Sequence, residues 1–335
     1  MRPPMTVPSA HVAILGTGAY VPDRVVSNTE VGAPAGVDDA WIARKTAIRE
    51  RRWAAPGQAT SDLATGAARR ALDAAGITAD QLSTIVVATS TPDHKQPATA
   101  VFVHRNLGGA APGVSAFDVN AVCAGFTFAL DVAHGIIAKS GGYGLVIGAD
   151  LYSQILDPAD KKTVILFGDG AGAAVIGAGE AGHHIRTTAF HMYSDLSDLV
   201  VVPAGGSRLP HDPQTHAAGL QYFSMEGRAI RDFIINTVPG LVKQFLHDCE
   251  VLPTDIDHLI PHQANGVMLD DLWAKLDLPS ATLHRTVGVF GNVGSASVPL
   301  TLDQAARSGE LRRGDRVLML GMGGGFAVSL TLIDW

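Results

Sequence analysis

Two cysteines stand in the chain, and their surroundings differ. Cys123 lies in Asn-Ala-Val-Cys-Ala-Gly-Phe, where an apolar strand reading (Val114–Val119) gives way to a helix beginning near Ala124. A thiol at a helix start meets unpaired backbone N–H groups and the positive end of the helix. Both favour the thiolate, so a lowered pKa is expected. A small buried core residue fits the same position equally well on spacing alone. Cys249 ends an amphipathic stretch with Phe245 and Leu246 and reads as core packing. His262, in Pro261-His-Gln-Ala-Asn265, follows the short strand His258–Ile260. An imidazole there can accept or donate a proton near neutral pH, although a satisfied buried histidine is its plainer reading. Asn292, in Phe290-Gly-Asn-Val-Gly-Ser-Ala-Ser297, sits in a glycine-flanked turn opening a helix, where a capping loop is the simplest account.

The elements that must position these residues alternate between short apolar runs and amphipathic stretches, the signature of an α/β protein. His11–Ile14 reads as a strand, Ser61 as the cap of a helix through about Ala75, and Thr84–Ala88 as a buried strand. The Ala124–Lys139 helix leads to the strand Gly144–Ile147, and Gly168–Gly172 reads as a turn inside Val164–Ile176. A helix over Ala229–His247, the strand His258–Ile260, the loop Gly288–Ser295 with a helix to Arg307, and the strand Arg316–Leu320 repeat this order. Two similar α/β halves are expected, residues 1–180 carrying Cys123 and residues 181–335 carrying His262 and Asn292.

With 335 residues, 47% hydrophobic and 17% charged, the chain can bury a large core. A net charge of −7 gives no general basic surface for nucleic acid or anionic lipid. Two cysteines make no disulfide framework, the first ten residues lack a signal-peptide pattern, and no apolar stretch reads as a membrane span. A cytoplasmic protein is expected.

Taken together, the motifs resemble one family. Cys123 in Cys-Ala-Gly-Phe, His262 in Pro-His-Gln-Ala-Asn and Asn292 in Gly-Asn-x-Gly-Ser-Ala-Ser are similar to the Cys, His and Asn of the β-ketoacyl-acyl-carrier-protein synthases III, of the thiolase superfamily. Phe167-Gly-Asp-Gly-Ala-Gly172, Gly323-Gly-Gly-Phe326, Gly16–Pro22 and Trp41–Arg49 match as well, in family order over nearly the whole chain.

The resemblance implies a thiolase-like fold of two halves in a layered αβαβα arrangement, and a homodimer. It makes Cys123 the nucleophile toward an acyl thioester and the N–H groups of Cys123 and Gly324 the oxyanion hole. His262 and Asn292 become donors to a malonyl thioester that loses carbon dioxide and condenses with the acyl group. Coenzyme A enters as a thioester substrate, with no cofactor and no metal. Trp41 matches the residue stacking on its adenine, and Met225, Gly227 and Asn265 match its pantetheine tunnel.

Departures concern the substrates. Gln154, after Ser153, replaces an arginine facing the adenine. Gln96, beside Lys95, replaces an aromatic that reaches across the dimer to the acyl pocket and suggests a bulkier or polar acyl group. Val267, Asp270 and Asp271 weaken the basic patch for malonyl-acyl carrier protein, with Lys275 kept and Arg228 and Arg231 as the candidates to compensate. The alternative these raise is acyl transfer from Cys123 to another acceptor without condensation, in secondary metabolism. A dehydrogenase lacks a third glycine after Gly16-Thr-Gly18, a scaffold without activity is at odds with the three motif residues, and a metal at His183, His184 and His191 is better read as a solvated loop.

Overall fold

The computed structural model describes residues 11–178 and 182–335; the expected boundary near residue 180 falls outside them. Ten strands make the main sheet. They are β1 (Val12–Tyr20), β2 (Leu82–Ala88), β3 (Ser115–Val119), β4 (Tyr143–Leu151), β5 (Asp169–Ala178), β6 (His183–Met192), β7 (His258–Pro261), β8 (Thr282–Leu283), β9 (Arg316–Gly323) and β10 (Ala327–Asp334). The helices that matter here are α1 (Asp39–Thr46), α2 (Thr60–Ala75), α3 (Thr99–Leu107), α4 (Gly125–Ser140), α5 (Gly227–Asp248), α6 (Gly266–Trp273) and α7 (Ser297–Arg307).

The strand order is β3-β2-β4-β5-β1 followed by β6-β10-β9-β7-β8, so one five-strand pattern occurs twice. In each half the outer three strands run parallel and the inner pairings are antiparallel. The halves meet at β1 and β6 through only two register positions, Ala13 with His184 and Ile14 with His183.

Strand residues alternate between two cores, as a period of two requires. Val146 of β4 and Met319 of β9 face α4 and α7, which lie between the halves with Phe126, Leu130, Val298 and Leu302. Leu145 and Ile147 face α2 on one outer side, and Leu318 and Leu320 face α5 and α6 on the other. The result is the expected αβαβα layering. Both faces of every central strand are covered, which is why these strands read as unbroken apolar runs.

Three details depart from the sequence reading. Helix α2 starts one residue before Ser61: its N-cap is Ala59, whose N–H is held by the Asp62 carboxylate at 2.9 Å. Gly168–Gly172 is mostly strand rather than turn, since β5 begins at Asp169. A Cβ on Gly172 would meet the Leu300 backbone, so that glycine admits α7 against the sheet. Finally, the helical run Val122–Ser140 is, at 19 residues, long and apolar enough to cross a membrane by composition. Half of that window is buried inside the protein, because α4 is packed between the two halves of the sheet and is apolar on most of its circumference.

Candidate active site

Cys123 is placed by a strained turn. Strand β3 ends at Val119, the Asn120 side chain accepts from the Val122 N–H at 3.1 Å, and Val122 adopts φ 48°. A β-branched residue in the left-handed region costs of order 1–3 kcal/mol, and surrounding contacts must hold it there. The 3-10 turn Val122–Ala124 follows, then α4, so the thiol does stand at a helix start. The loop after β9 presses on this turn: a Cβ on Gly323 would stand 2.5 Å from the Ala121 carbonyl oxygen and 2.8 Å from Ala124 N. Only glycine lets Gly323–Gly324 lie against the Cys123 backbone.

His262 follows β7, its N–H donating to the Leu320 carbonyl at 2.7 Å as the next rung beside β9. The neighbouring Gln263, fully buried, clips this strand end to the segment leading to Asn292. Its amide nitrogen donates to Pro261 and His284 carbonyls, and its oxygen accepts from the Thr286 and Val287 N–H groups at 2.9 and 3.1 Å. Asn292 bridges to the strand-like Leu166–Gly168, donating from N to Leu166 O at 2.8 Å and accepting Gly168 N–H at 3.0 Å. Its side-chain oxygen accepts from Gly294 N–H at 2.9 Å, which orients the amide NH2 as a donor.

Cys123, His262, Asn292 and Gly324 line one narrow pocket of about 80 Å³, walled by Phe167, Phe223, Phe233 and Val200 and free of charged side chains. Burial pushes the Cys123 thiol up to about 12, with the charge of Asp150 adding to the effect. The lowered pKa expected from the helix start is therefore reversed: desolvation outweighs the backbone N–H groups and the Tyr152 hydroxyl, and the resting sulfur is a thiol. Burial likewise pulls His262 down to about 3. The ring is neutral, and its Nδ1 is enclosed without a partner. With its proton on Nε2, the neutral ring is an uncharged hydrogen-bond donor to the pocket.

Beneath the pocket lies a buried carboxylate that the sequence reading missed. Asp150, at the end of β4, accepts from Ser90 N at 2.8 Å, from the Thr89, Ser90 and Thr91 hydroxyls, and from Ser295 N at 2.7 Å. It ties the turn after Asn292 to the floor under Cys123. Ser90 passes the link to the Tyr152 hydroxyl at 3.0 Å, and Tyr152 stacks on Phe167 at 4.5 Å. An acidic residue ending a buried apolar strand was the available signal for Asp150.

The remaining expected residues divide. Met225 is a pocket wall. Gly227 opens α5 next to it, and half-buried Trp41 sits on α1. Asn265 caps α6, accepting from Val267 N and Met268 N, and donates to the Lys45 carbonyl at 3.3 Å. Its polar atoms are thus engaged in joining α6 to the helix bearing Trp41. Gln96 is exposed between β2 and α3, outside the pocket of its own chain, and gives that pocket no polar wall. Its place across a dimer needs a second copy. Cys249 packs at the end of α5, and His183 stacks flat on Trp335 at 3.7 Å. Among the described residues no group of His, Cys, Asp and Glu could hold a metal.

Known proteins resemble this chain in sequence and fold. Residues 117–196 match the family model for 3-oxoacyl-[acyl-carrier-protein] synthase III, and residues 246–335 match the model for its C-terminal part. The chain is 60% identical to acetoacetyl CoA synthase NphT7 of Streptomyces sp. (strain CL190), over 96% of this chain and 98% of that one. It is 39% identical to a β-ketoacyl-[acyl-carrier-protein] synthase III of Caldanaerobacter subterraneus, over 96% and 97%. The crystal structure of 3-oxoacyl-[acyl-carrier-protein] synthase III from Aquifex aeolicus superposes with a TM-score of 0.87 at 33% identity, over 97% of this chain and all of that one. With a buried thiol, two neutral donors and a close-packed glycine loop around one pocket, and with this similarity along nearly its whole length, the chain belongs to the 3-oxoacyl-[acyl-carrier-protein] synthase III family of condensing enzymes.

Proposed function

We propose that the chain takes a short acyl group from an acyl-CoA onto Cys123 and condenses it with malonyl-CoA. The observation that carries this reading is the convergence of Cys123, Gly324, His262 and Asn292 on one uncharged pocket. As the Cys123 sulfur attacks the thioester carbonyl, the oxyanion is held by the N–H groups of Cys123 and Gly324. The proton of the cysteine leaves with coenzyme A as its thiol. The malonyl thioester then offers its carbonyl oxygen to the His262 Nε2–H and the Asn292 NH2. Carbon dioxide departs, the resulting enolate carbon attacks acyl-Cys123, and as the carbon–carbon bond forms the sulfur leaves as a thiolate, which takes up a proton from solvent to restore the thiol. A neutral His262 suits this work, since its donor capacity does not depend on protonation between pH 5 and 9.

The choice of coenzyme A as the malonyl carrier rests on charge. Arg231 on α5 donates to Asp271 at 2.6 and 2.9 Å, and Arg285 pairs with Asp270 at 2.5 Å. Arg231 and Arg285 are thus each matched by a carboxylate, which weakens the attraction they offer an acidic carrier protein, while Arg228 at the start of α5 has no carboxylate partner among the described residues. The name of the 60% identical relative, an acetoacetyl CoA synthase, agrees with a CoA-bound product. The test is a competition on the Cys123-acylated enzyme with malonyl-CoA and malonyl-carrier protein. The kcat/KM for malonyl-CoA is expected to be at least about tenfold the higher. Preference for the carrier protein, falling steeply with salt, would contradict the reading.

A further inference from the structure

Arg51 is wholly buried, yet no carboxylate touches it. Its Nη1 donates to the Asn28 side-chain oxygen at 2.8 Å, with the Val26 carbonyl at 3.5 Å, and its Nη2 donates to the Ile165 carbonyl at 2.7 Å. Burial lowers its pKa to about 10, so the guanidinium still carries its charge at neutral pH. A lone buried cation is a costly core filler. Of the carboxylates that offset this charge, Asp39 acts most strongly, ahead of Glu30 and Glu50, and it is linked to Arg51 through Asn28, whose amide donates to Asp39 at 2.9 Å.

What the guanidinium holds is informative. Ile165 begins the segment whose next residues, Leu166 and Gly168, form both backbone hydrogen bonds of Asn292. Around it the chain neighbours of Arg51 grip the same two segments. Arg49 N–H donates to the Gly288 carbonyl at 2.9 Å, and the Trp53 indole donates to Phe167 O at 3.2 Å. Gly168 and Gly291 both lie so close that an added Cβ would stand 3.1 and 3.4 Å from the Arg51 Cβ. Asp39, at the other end of the link, opens the helix bearing Trp41.

We infer that Arg51 is a positioning residue for decarboxylation, setting the Asn292 amide against the pocket by anchoring the Ile165–Gly168 segment to which Asn292 is clipped. The inference rests on Asn292 being a donor to the malonyl carbonyl. Lysine at this position keeps the charge but cannot reach both Asn28 and Ile165 in the planar fork that arginine provides.

Arg51→Lys, Asn28→Ala and Asn292→Ala are compared in two half-reactions, with thermal melting of each variant. Acylation of Cys123 by acetyl-CoA is followed by intact mass, and decarboxylation of malonyl-CoA by carbon dioxide release at saturation. In Arg51→Lys, decarboxylation kcat is expected to fall at least about tenfold, since small misplacements of a reacting group are that expensive. Acylation and the KM for malonyl-CoA should stay within about threefold. Equal loss of both half-reactions, or loss of neither, would make Arg51 a structural strut and overturn the inference. Should Arg51→Lys fail to fold, Asn28→Ala, which leaves the guanidinium without its side-chain acceptor, decides by the same split. If Asn292→Ala itself decarboxylates normally, the role given to Asn292 fails instead; if only the Asn292 variant is impaired, the failure is that of Arg51 alone.

Discussion

Asn292→Ala is expected to reduce malonyl decarboxylation by about 10²–10³-fold while Cys123 is still acylated at close to the native rate, the loss corresponding to one preorganised donor to a developing oxyanion. The asymmetry follows from geometry. Asn292 N and O are committed to Leu166 and Gly168, and its side-chain oxygen to Gly294, so that only its NH2 is offered to the pocket. Acylation draws on a different pair of donors, the backbone N–H groups of Cys123 and Gly324. Alanine keeps the backbone bridge and removes the amide, so the fold should survive. The check is the ratio of the two half-reaction rates, by carbon dioxide release and by intact mass. An equal fall in both would assign Asn292 to the architecture of the site and not to the decarboxylation step.

Gly323→Ala is expected to show the opposite preference. Its methyl would stand 2.5 Å from the Ala121 carbonyl oxygen and 2.8 Å from Ala124 N, both backbone atoms of the nucleophile turn. Neither can rotate aside as a side chain could, so the loop bearing Gly324 must lift away from Cys123. Losing one oxyanion donor in this way predicts a fall of about 10²–10³-fold in the acylation rate, with overpacking costing roughly 1–3 kcal/mol of stability. Acylation rates by intact mass and thermal melting measure the two effects separately. A variant that acylates normally would mean that Gly324 does not supply the second N–H.

How much of this was legible in the sequence depends on how local each cause is. The Cys123 turn, the strand end at His262 and the glycine-flanked Asn292 turn are short contiguous patterns, and each lies where its neighbours in the chain imply. The αβαβα order could be read because both faces of the central strands are covered, giving apolar runs separated by amphipathic helices. The glycines from 168 to 172 misled for the opposite reason. Gly172 is small because α7, more than a hundred residues later, packs on it, and no local pattern distinguishes that from a turn. The Cys123 pKa could not be foreseen from a helix start, since its sign is set by walls contributed from distant segments, among them Phe167, Phe223, His262 and Asn292. Asp150, Tyr152, Gln263 and Arg51 escaped in the same way. Each is a polar residue whose partner is remote in the chain, such as Ser295 N for Asp150, the Ser90 hydroxyl for Tyr152 or the Ile165 carbonyl for Arg51.

The central claim is that Cys123 carries the acyl group, and intact-protein mass spectrometry after incubation with acetyl-CoA tests it most directly. The account predicts one added acetyl group per chain, absent in Cys123→Ala and discharged when malonyl-CoA is supplied, with a β-ketoacyl thioester as the product. An unmodified mass with every acyl-CoA offered, or an acyl group retained in Cys123→Ala, would contradict it.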